Sequence, residues 1–251
     1  MIEIQHVFKK FGEKEVIHDL CLEISGGELF AYLGPNGAGK TTTIKMLTGL
    51  LKPTSGRILL KGCDIEKEPL RAKRVISYVP DIPYLYEKLT PGEFLTFIGN
   101  LYGLNGRVLD EKINHLFTLF DLHEFRGVLI EALSHGMRQR LVFSAALLHD
   151  PEILIIDEPM AGLDPRSARL VKDILRQRAD NGTTVFLSTH SLSVAEELAD
   201  RIGILHHGRL VALGTFADLN QMAGKGDRLE DIFLQLTTDE KAFDALKSPT
   251  E

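Results

Sequence analysis

The chain has 251 residues, of which 44% are hydrophobic and 25% charged, with a formal net charge of -6 and a pI near 5.9. That content allows a substantial core, as one domain or one domain with a subdomain, and excludes a disordered chain. It also gives no basic field for a nucleic-acid backbone, so no DNA or RNA partner is expected, and the lack of an 18-residue apolar run or a signal-like start predicts a soluble, cytoplasmic protein.

Ile2, Ile4 and Val7 open a strand, and residues 16–24 alternate well enough to be its antiparallel partner. Phe11 and Gly12 lie between them. An aromatic there could stack on a base or pack within the loop. Cys21 and Cys63 stand far from any metal-ligand spacing and are expected to be small buried hydrophobes.

Residues 29–33 form an apolar run that reads as a buried strand, and Gly34, Pro35, Asn36, Gly37, Ala38, Gly39, Lys40, Thr41 and Thr42 follow in the phosphate-loop pattern G-x-x-x-x-G-K-[ST]. The glycines allow backbone conformations that turn successive amide N–H groups toward an anion. Ile44, Met46, Leu47 and Leu50 then predict a helix whose N-terminus faces the phosphates. Lys40 is the expected cation on the phosphates, Thr41 a Mg²⁺ ligand and Thr42 a further phosphate contact.

Short strands are predicted over 57–61 and 75–79, before Pro80, Asp81, Ile82 and Pro83 break the pattern. From Thr90 to about Leu148 the reading is helical throughout. Thr90, Pro91 and Glu93 have capping-box spacing, Phe94, Phe97, Ile98 and Leu101 share a face, and a second helix starting near Asp110 carries Ile113, Leu116, Phe117 and Phe120. The stripes are core or a partner-facing groove.

Residues 153–156 are wholly apolar and end in Asp157 and Glu158, as in a central parallel strand whose C-terminal end meets a ligand. Asp157 is placed to hold Mg²⁺ and Glu158 to act as general base toward an attacking water. Asp164-Pro165 caps a helix to about Ala179, residues 184–189 form the next strand, and His190 at its end, as a neutral imidazole, can donate to a γ-phosphate oxygen. A helix over 192–199, a hairpin about His207 and Gly208, and a C-terminal helical segment follow. His206 and His207, as adjacent strand residues, should point apart rather than share a metal ion.

Together these motifs resemble the nucleotide-binding subunit of an ATP-binding cassette (ABC) transporter, of the bacterial exporter type concerned with drug or antibiotic efflux. Leu133 to Arg140, including Ser134, Gly136 and Gln139, is similar to the family signature, usually LSGGQ, with His135 and Met137 as departures. Residues 161–164 look like the D-loop, and His190 like the switch histidine. The fold so implied is α/β: a phosphate-loop NTPase with a central, mainly parallel sheet, an antiparallel β subdomain and an inserted α-helical subdomain. Residues 1–220 would be the ATPase domain, with the helical insertion at about 84–150 and a C-terminal helical extension over 221–251.

The resemblance further implies ATP and Mg²⁺ as ligands and a head-to-tail dimer in which Ser134 and Gly136 of one subunit cap the γ-phosphate held by the other. Asp164 would couple the two sites, and Phe11 becomes the adenine-stacking residue. A separate integral-membrane transporter subunit is the implied partner, holding the chain at the inner face of the cell membrane. Asp81 stands where the family has its Q-loop glutamine, a contact to Mg²⁺ or the attacking water, and is expected to weaken or retune hydrolysis. A non-transport ATPase of the same superfamily, acting on DNA or the ribosome, is the alternative, as is a module that holds ATP without turnover.

Overall fold

The computed structural model describes residues 1–160, 162–222 and 229–238. An antiparallel sheet has the order β2 (Lys14–Ile24), β1 (Ile2–Phe11), β4 (Ser55–Leu60) and β5 (Cys63–Asp64). Alternating apolar positions, such as Ile2, Ile4, Leu20, Leu22 and Ile24, put one face of it into the core.

The second sheet has six strands in the order β10 (Arg209–Gly214), β9 (Arg201–His206), β3 (Leu29–Leu33), β8 (Thr184–Thr189), β7 (Ile153–Asp157) and β6 (Ile76–Val79). Its strands run parallel except β10, which closes the edge as a hairpin with β9. Strands β3, β7 and β8 are buried at every residue, because helices and the antiparallel sheet cover both faces, and their unbroken apolar runs follow from that.

Register fixes where their ends fall. Leu33 pairs with Thr189 and Asp157 with Ser188, so the segments that leave β3, β7 and β8 emerge side by side. The helix after β3, α1 (Lys40–Leu47), buries Ile44, Met46 and Leu47. Gly49 ends it in a left-handed conformation (φ 67°).

A helical segment separates β6 from β7: α3 (Pro91–Leu101), α4 (Gly106–Leu119) and α5 (His135–Leu147). The capping box at α3 forms as its spacing predicts, with the Glu93 N–H donating to Thr90 Oγ1 at 3.2 Å and the Thr90 N–H to Glu93 Oε2 at 2.8 Å. Ile113, Leu116, Phe117 and Phe120 are all buried.

Four expectations are corrected. The stretch 120–134 is turns and two short 3₁₀ segments rather than continuous helix, starting where Asp121 takes φ 54°, and α4 begins at Gly106 instead of near Asp110. The stripe on α3, by contrast, divides between the two readings given for it, with Phe94 buried in the core and Phe97 and Leu101 exposed, while Leu95 beside it turns inward. Cys21 is exposed and Cys63 half-buried, because Cys21 lies on the outer face of the β1–β2 ribbon. The rings of His206 and His207 approach to 4.1 Å, since His207 enters the hairpin with φ 45° and strand alternation ends there.

The expected C-terminal segment from 221 falls partly outside the described residues; within them, α9 (Leu229–Thr238) buries Leu229 and Ile232 with Ala31, Leu33 and Ile204. No helix among the described residues is long and apolar enough to cross a membrane. Replacing Thr90 by Ala removes the capping box at α3, and thermal denaturation should show a loss of about 1 kcal/mol, a fall in Tm of roughly 2 to 4 °C.

Candidate functional site

The loop 34–39 joins β3 to α1 at the edge where the three buried strands end. Gly34 packs so closely on β9 that a Cβ there would lie 2.4 Å from the Leu205 carbonyl oxygen, and Gly39 adopts φ 114°, which a side chain would resist. The loop is pinned further by Gly208 N–H donating to the Ala38 carbonyl at 2.9 Å and Ala38 N–H to Pro35 at 3.1 Å. Backbone N–H groups and a helix start are thereby held in a rigid anion cradle.

Lys40 folds back over this loop, its Nζ donating to the Gly34 carbonyl at 2.6 Å and to Pro35 at 3.3 Å. Burial lowers its pKa, while the Glu158 and Asp157 carboxylates pull the other way. Thr41 Oγ1 donates to Asp157 Oδ2 at 3.3 Å, so two hard oxygen ligands from different elements stand together.

Asp157 is 4% exposed, and burial raises its pKa, with the Glu158 and Asp81 carboxylates adding to the shift. Three carboxylates near one buried position are poorly compensated unless a cation joins them. The donor set, hydroxyl plus carboxylate beside a phosphate cradle, fits a Mg²⁺ carried in with a nucleotide.

Glu158, just past β7, takes φ 50° and so turns its carboxylate toward β8. Oε1 accepts from the His190 backbone N–H at 3.0 Å and lies 2.8 Å from His190 Nδ1, while Oε2 accepts from Thr189 Oγ1 at 3.1 Å. The side chain of His190 is 69% exposed. With Nδ1–H given to Glu158, a neutral ring has no N–H left for a phosphate; only a doubly protonated ring serves both anions at once.

Asn36, Gly37, Gly39, Lys40, Thr41, Thr42, Asp81, Asp157, Glu158 and His190 line one open cleft of about 470 Å³, together with Val16. Val16, whose place opposite the loop comes from the docking of the β1–β2 hairpin, carries no sequence signal of its own. Phe11 does not line this cleft. It sits half-exposed near the hairpin tip, with Lys9 Nζ 5.0 Å from its ring centroid.

Ser134, Gly136 and Asp164 also lie outside it. Ser134 is the exposed N-cap of α5, accepting from Met137 N–H at 3.3 Å, and Gly136 is half-buried beside the carbonyl of Gly162. Asp164 caps α6 (Pro165–Asp180), taking hydrogen bonds from Arg166 N–H and Ser167 N–H at 3.0 Å and from Ser167 Oγ at 2.6 Å, which hold its carboxyl below the usual range. Ala161 lies outside the described residues, although the rest of the expected D-loop is within them.

A cradle built for phosphate, with buried carboxylates opposite it on a parallel sheet, defines a phosphate-loop nucleotide-binding cassette. The family profile described as ABC transporter matches residues 17–161. The chain is 38% identical to the linearmycin resistance ATP-binding protein of Bacillus subtilis, over 94% of this chain and 75% of that one. It is 40% identical to a daunorubicin/doxorubicin resistance ATP-binding protein of Streptomyces peucetius, over 89% and 68%.

With a probable multidrug ABC transporter ATP-binding protein of Escherichia coli it shares 37% identity over 95% of its own length, but spans only 42% of that relative. Among solved structures, an ATP-binding subunit of an ABC transporter superposes with a TM-score of 0.90 at 33% identity, covering 94% of this chain and 99% of the other. A dimeric ATP-binding cassette in a post-hydrolysis state with ADP and Pi gives 0.79 at 25% identity, covering 86% and 98%. The chain belongs to the ABC transporter family.

The buried acid generates a pH-dependent prediction. A carboxyl whose folded pKa is raised favours the fold while protonated and opposes it once ionised, so its penalty is absent below the ordinary value of 3.8 and grows as pH rises through the raised one. Asp157→Asn should therefore stabilise the nucleotide-free protein at pH 7, with the gain shrinking toward pH 4 in chemical denaturation, and should weaken Mg-ATP binding by calorimetry.

Proposed function

We propose that this chain hydrolyses ATP and uses the cycle to power substrate movement, in the export direction, through a separate integral-membrane subunit. The observation that carries the reading is the convergence of Lys40, Thr41, Asp157, Glu158 and His190 on one cleft. The cradle 34–39 binds the β- and γ-phosphates, Lys40 exchanges its carbonyl contacts for phosphate oxygens, and Thr42 adds a contact from the helix start. Thr41 and Asp157 hold Mg²⁺, which when bound neutralises charge on the phosphates. Phe11, half-exposed near the tip of its hairpin, stacks on the adenine.

Glu158 is the general base. One oxygen takes a proton from the attacking water while Thr189 and the His190 backbone hold the carboxylate in place. His190 is then the link between base and phosphate: as an imidazolium it donates Nδ1–H to Glu158 and Nε2–H to the phosphate.

Closure of the cleft comes from a second ATPase subunit, packed head to tail. Ser134 and the start of α5 are exposed and lie outside the lining of this chain's own cleft, which leaves them available to cap a partner's γ-phosphate. The similarity to a dimeric cassette supports the arrangement. Asp164, as the N-cap of α6, sets the chain direction after the D-loop and so places the interface between the two sites.

Docking of the membrane subunit is assigned to a groove of about 780 Å³ lined by Leu50, Ile82, Tyr84, Phe94, Ile98 and Tyr102. Tyr84 is 81% exposed and Ile82 64%, an apolar load that water disfavours and a partner would cover. Thr41, Asp81 and Asp157 line the inner end of the same groove, so partner and nucleotide share a wall. That continuity, and net charge of the wrong sign for a nucleic-acid backbone, favour transport over action on DNA or the ribosome. The subunit would thus sit peripherally on the cytoplasmic face of the membrane, with residues 1–220 as its ATPase domain.

Two measurements test this reading. Glu158→Gln should cut steady-state phosphate release by roughly 10²-fold or more while Mg-ATP still binds in calorimetry; release at the wild-type rate would reject Glu158 as base. Asp81 adds a carboxylate to a site already holding two, which lowers the affinity for anionic phosphate and for the nucleophile's approach. Asp81→Gln should raise ATPase at saturating Mg-ATP, and a slower or unchanged rate would reject this assignment.

A further inference from the structure

The antiparallel ribbon β1–β2 contains three successive register shifts, of which the first two carry the argument. Register passes from Ile4↔Leu22 to Val7↔Leu20, so Gln5 and His6 together oppose Cys21, and then to Lys9↔Ile17, so His18 and Asp19 together oppose Phe8. Each bulge carries a non-glycine residue in the left-handed region, His6 at φ 49° and Asp19 at φ 46°. Bulges re-aim side chains. Here the two flank the buried pair Val7 and Leu20 and turn His6 and Asp19 outward to meet Cys21 on the solvent face.

As a result one nitrogen, one oxygen and one sulfur ligand atom lie within 4.8 Å of one another. His6 Nδ1 is 3.4 Å from Cys21 Sγ and 2.8 Å from Asp19 Oδ1. Tetrahedral zinc, with bonds of about 2.0 Å to nitrogen or oxygen and 2.3 Å to sulfur, needs separations of roughly 3.5 Å and 3.3 Å between such atoms. The first is already met. The second needs an opening of about half an ångström between two side chains that are 77% and 49% exposed and free to give it.

Two further features suit a cation. The His6 backbone N–H donates to Cys21 Sγ at 3.4 Å and so helps fix where the sulfur lies beside the other two ligand atoms. Along the same outer face Glu3 pairs directly with Glu23, and both line a shallow groove with His6, Cys21 and Arg201, whose single positive charge leaves the groove with one more carboxylate than cation. Like charges directly opposite one another on a ribbon destabilise it, and a nearby cation relieves them.

We propose that His6, Asp19 and Cys21 form a binding site for a single divalent metal ion of the zinc type, separate from the nucleotide cleft, which pins the two bulges together. His6 binds through Nδ1, with its proton on Nε2, Asp19 through one carboxylate oxygen and Cys21 as thiolate, the thiol proton passing to solvent. Water completes the fourth position.

Cobalt(II) titration of the full chain, stripped of metals and nucleotide, tests the site. The expected result is one ion per chain with tetrahedral d–d bands and a thiolate-to-cobalt charge-transfer band, displaced by zinc, present in Cys63→Ser and absent in Cys21→Ser. His6→Ala and Asp19→Asn should each weaken zinc binding by roughly tenfold or more in chelator competition. Zinc should raise the Tm of the wild type and not of Cys21→Ser, a conservative change at an exposed position. No charge-transfer band in the wild type, a band surviving in Cys21→Ser, or unaltered affinity in both the His6 and Asp19 variants would overturn the proposal.

Discussion

The functional arrangement depends on the parallel register of β3, β8 and β7. Because Leu33 lies beside Thr189 and Ser188 beside Asp157, three chain segments distant in sequence leave the sheet at one edge. The phosphate loop, the acid pair and His190 are simply what each strand carries at that point. Hydrogen bonding across the strands sets the spacing, and a one-residue slip would turn every side chain of a strand to the opposite face, where the packing is fitted to the other set. A site assembled this way is as rigid as the sheet, while the residues that must exchange partners sit on the loops just beyond it.

Electrostatics leave the charges of the cleft poorly matched to one another. Asp157 is buried with Glu158 and Asp81 near it, and Lys40, the nearest cation, spends its hydrogen bonds on loop carbonyls. Burial disfavours the charge on both Asp157 and Lys40. In the function proposed above, an anionic nucleotide with a divalent ion would answer both deficits, the ion meeting the carboxylate and hydroxyl oxygens and the phosphates meeting the lysine. Binding energy is thus built into the unliganded fold as charges held apart from their best partners.

The cleft and the apolar groove beside it share Thr41, Asp81 and Asp157. A segment that fills the groove cannot move without pressing on residues that surround the phosphates, which is the structural requirement for coupling between two sites. Asp81 is the notable member, because it belongs to the short irregular stretch after β6 rather than to a sheet or helix that would hold it still. The helical segment contributes Phe94, Ile98 and Tyr102 to the groove, whereas Phe97 and Leu101, although exposed, do not line it.

Much of this was legible in the chain itself. The phosphate loop, the strand ending in Asp157 and Glu158, the capping box at Thr90 and the buried face of α4 rest on local spacing, and local spacing is governed by backbone geometry that any few consecutive residues express. Other features belong to pairs of segments and have no signature in either one. The exposure of Cys21 arises from a mismatch between β1 and β2, the approach of His206 and His207 from the hairpin that joins β9 to β10, and the place of Val16 beside the loop from the docking of one sheet on another. The sequence by itself determined which residues can bind phosphate, hold a cation or take a proton, since those are properties of side chains and short turns. Only tertiary structure decided which of them meet and which face is left to water, because register, bulges and packing are set by the fit of distant segments against one another.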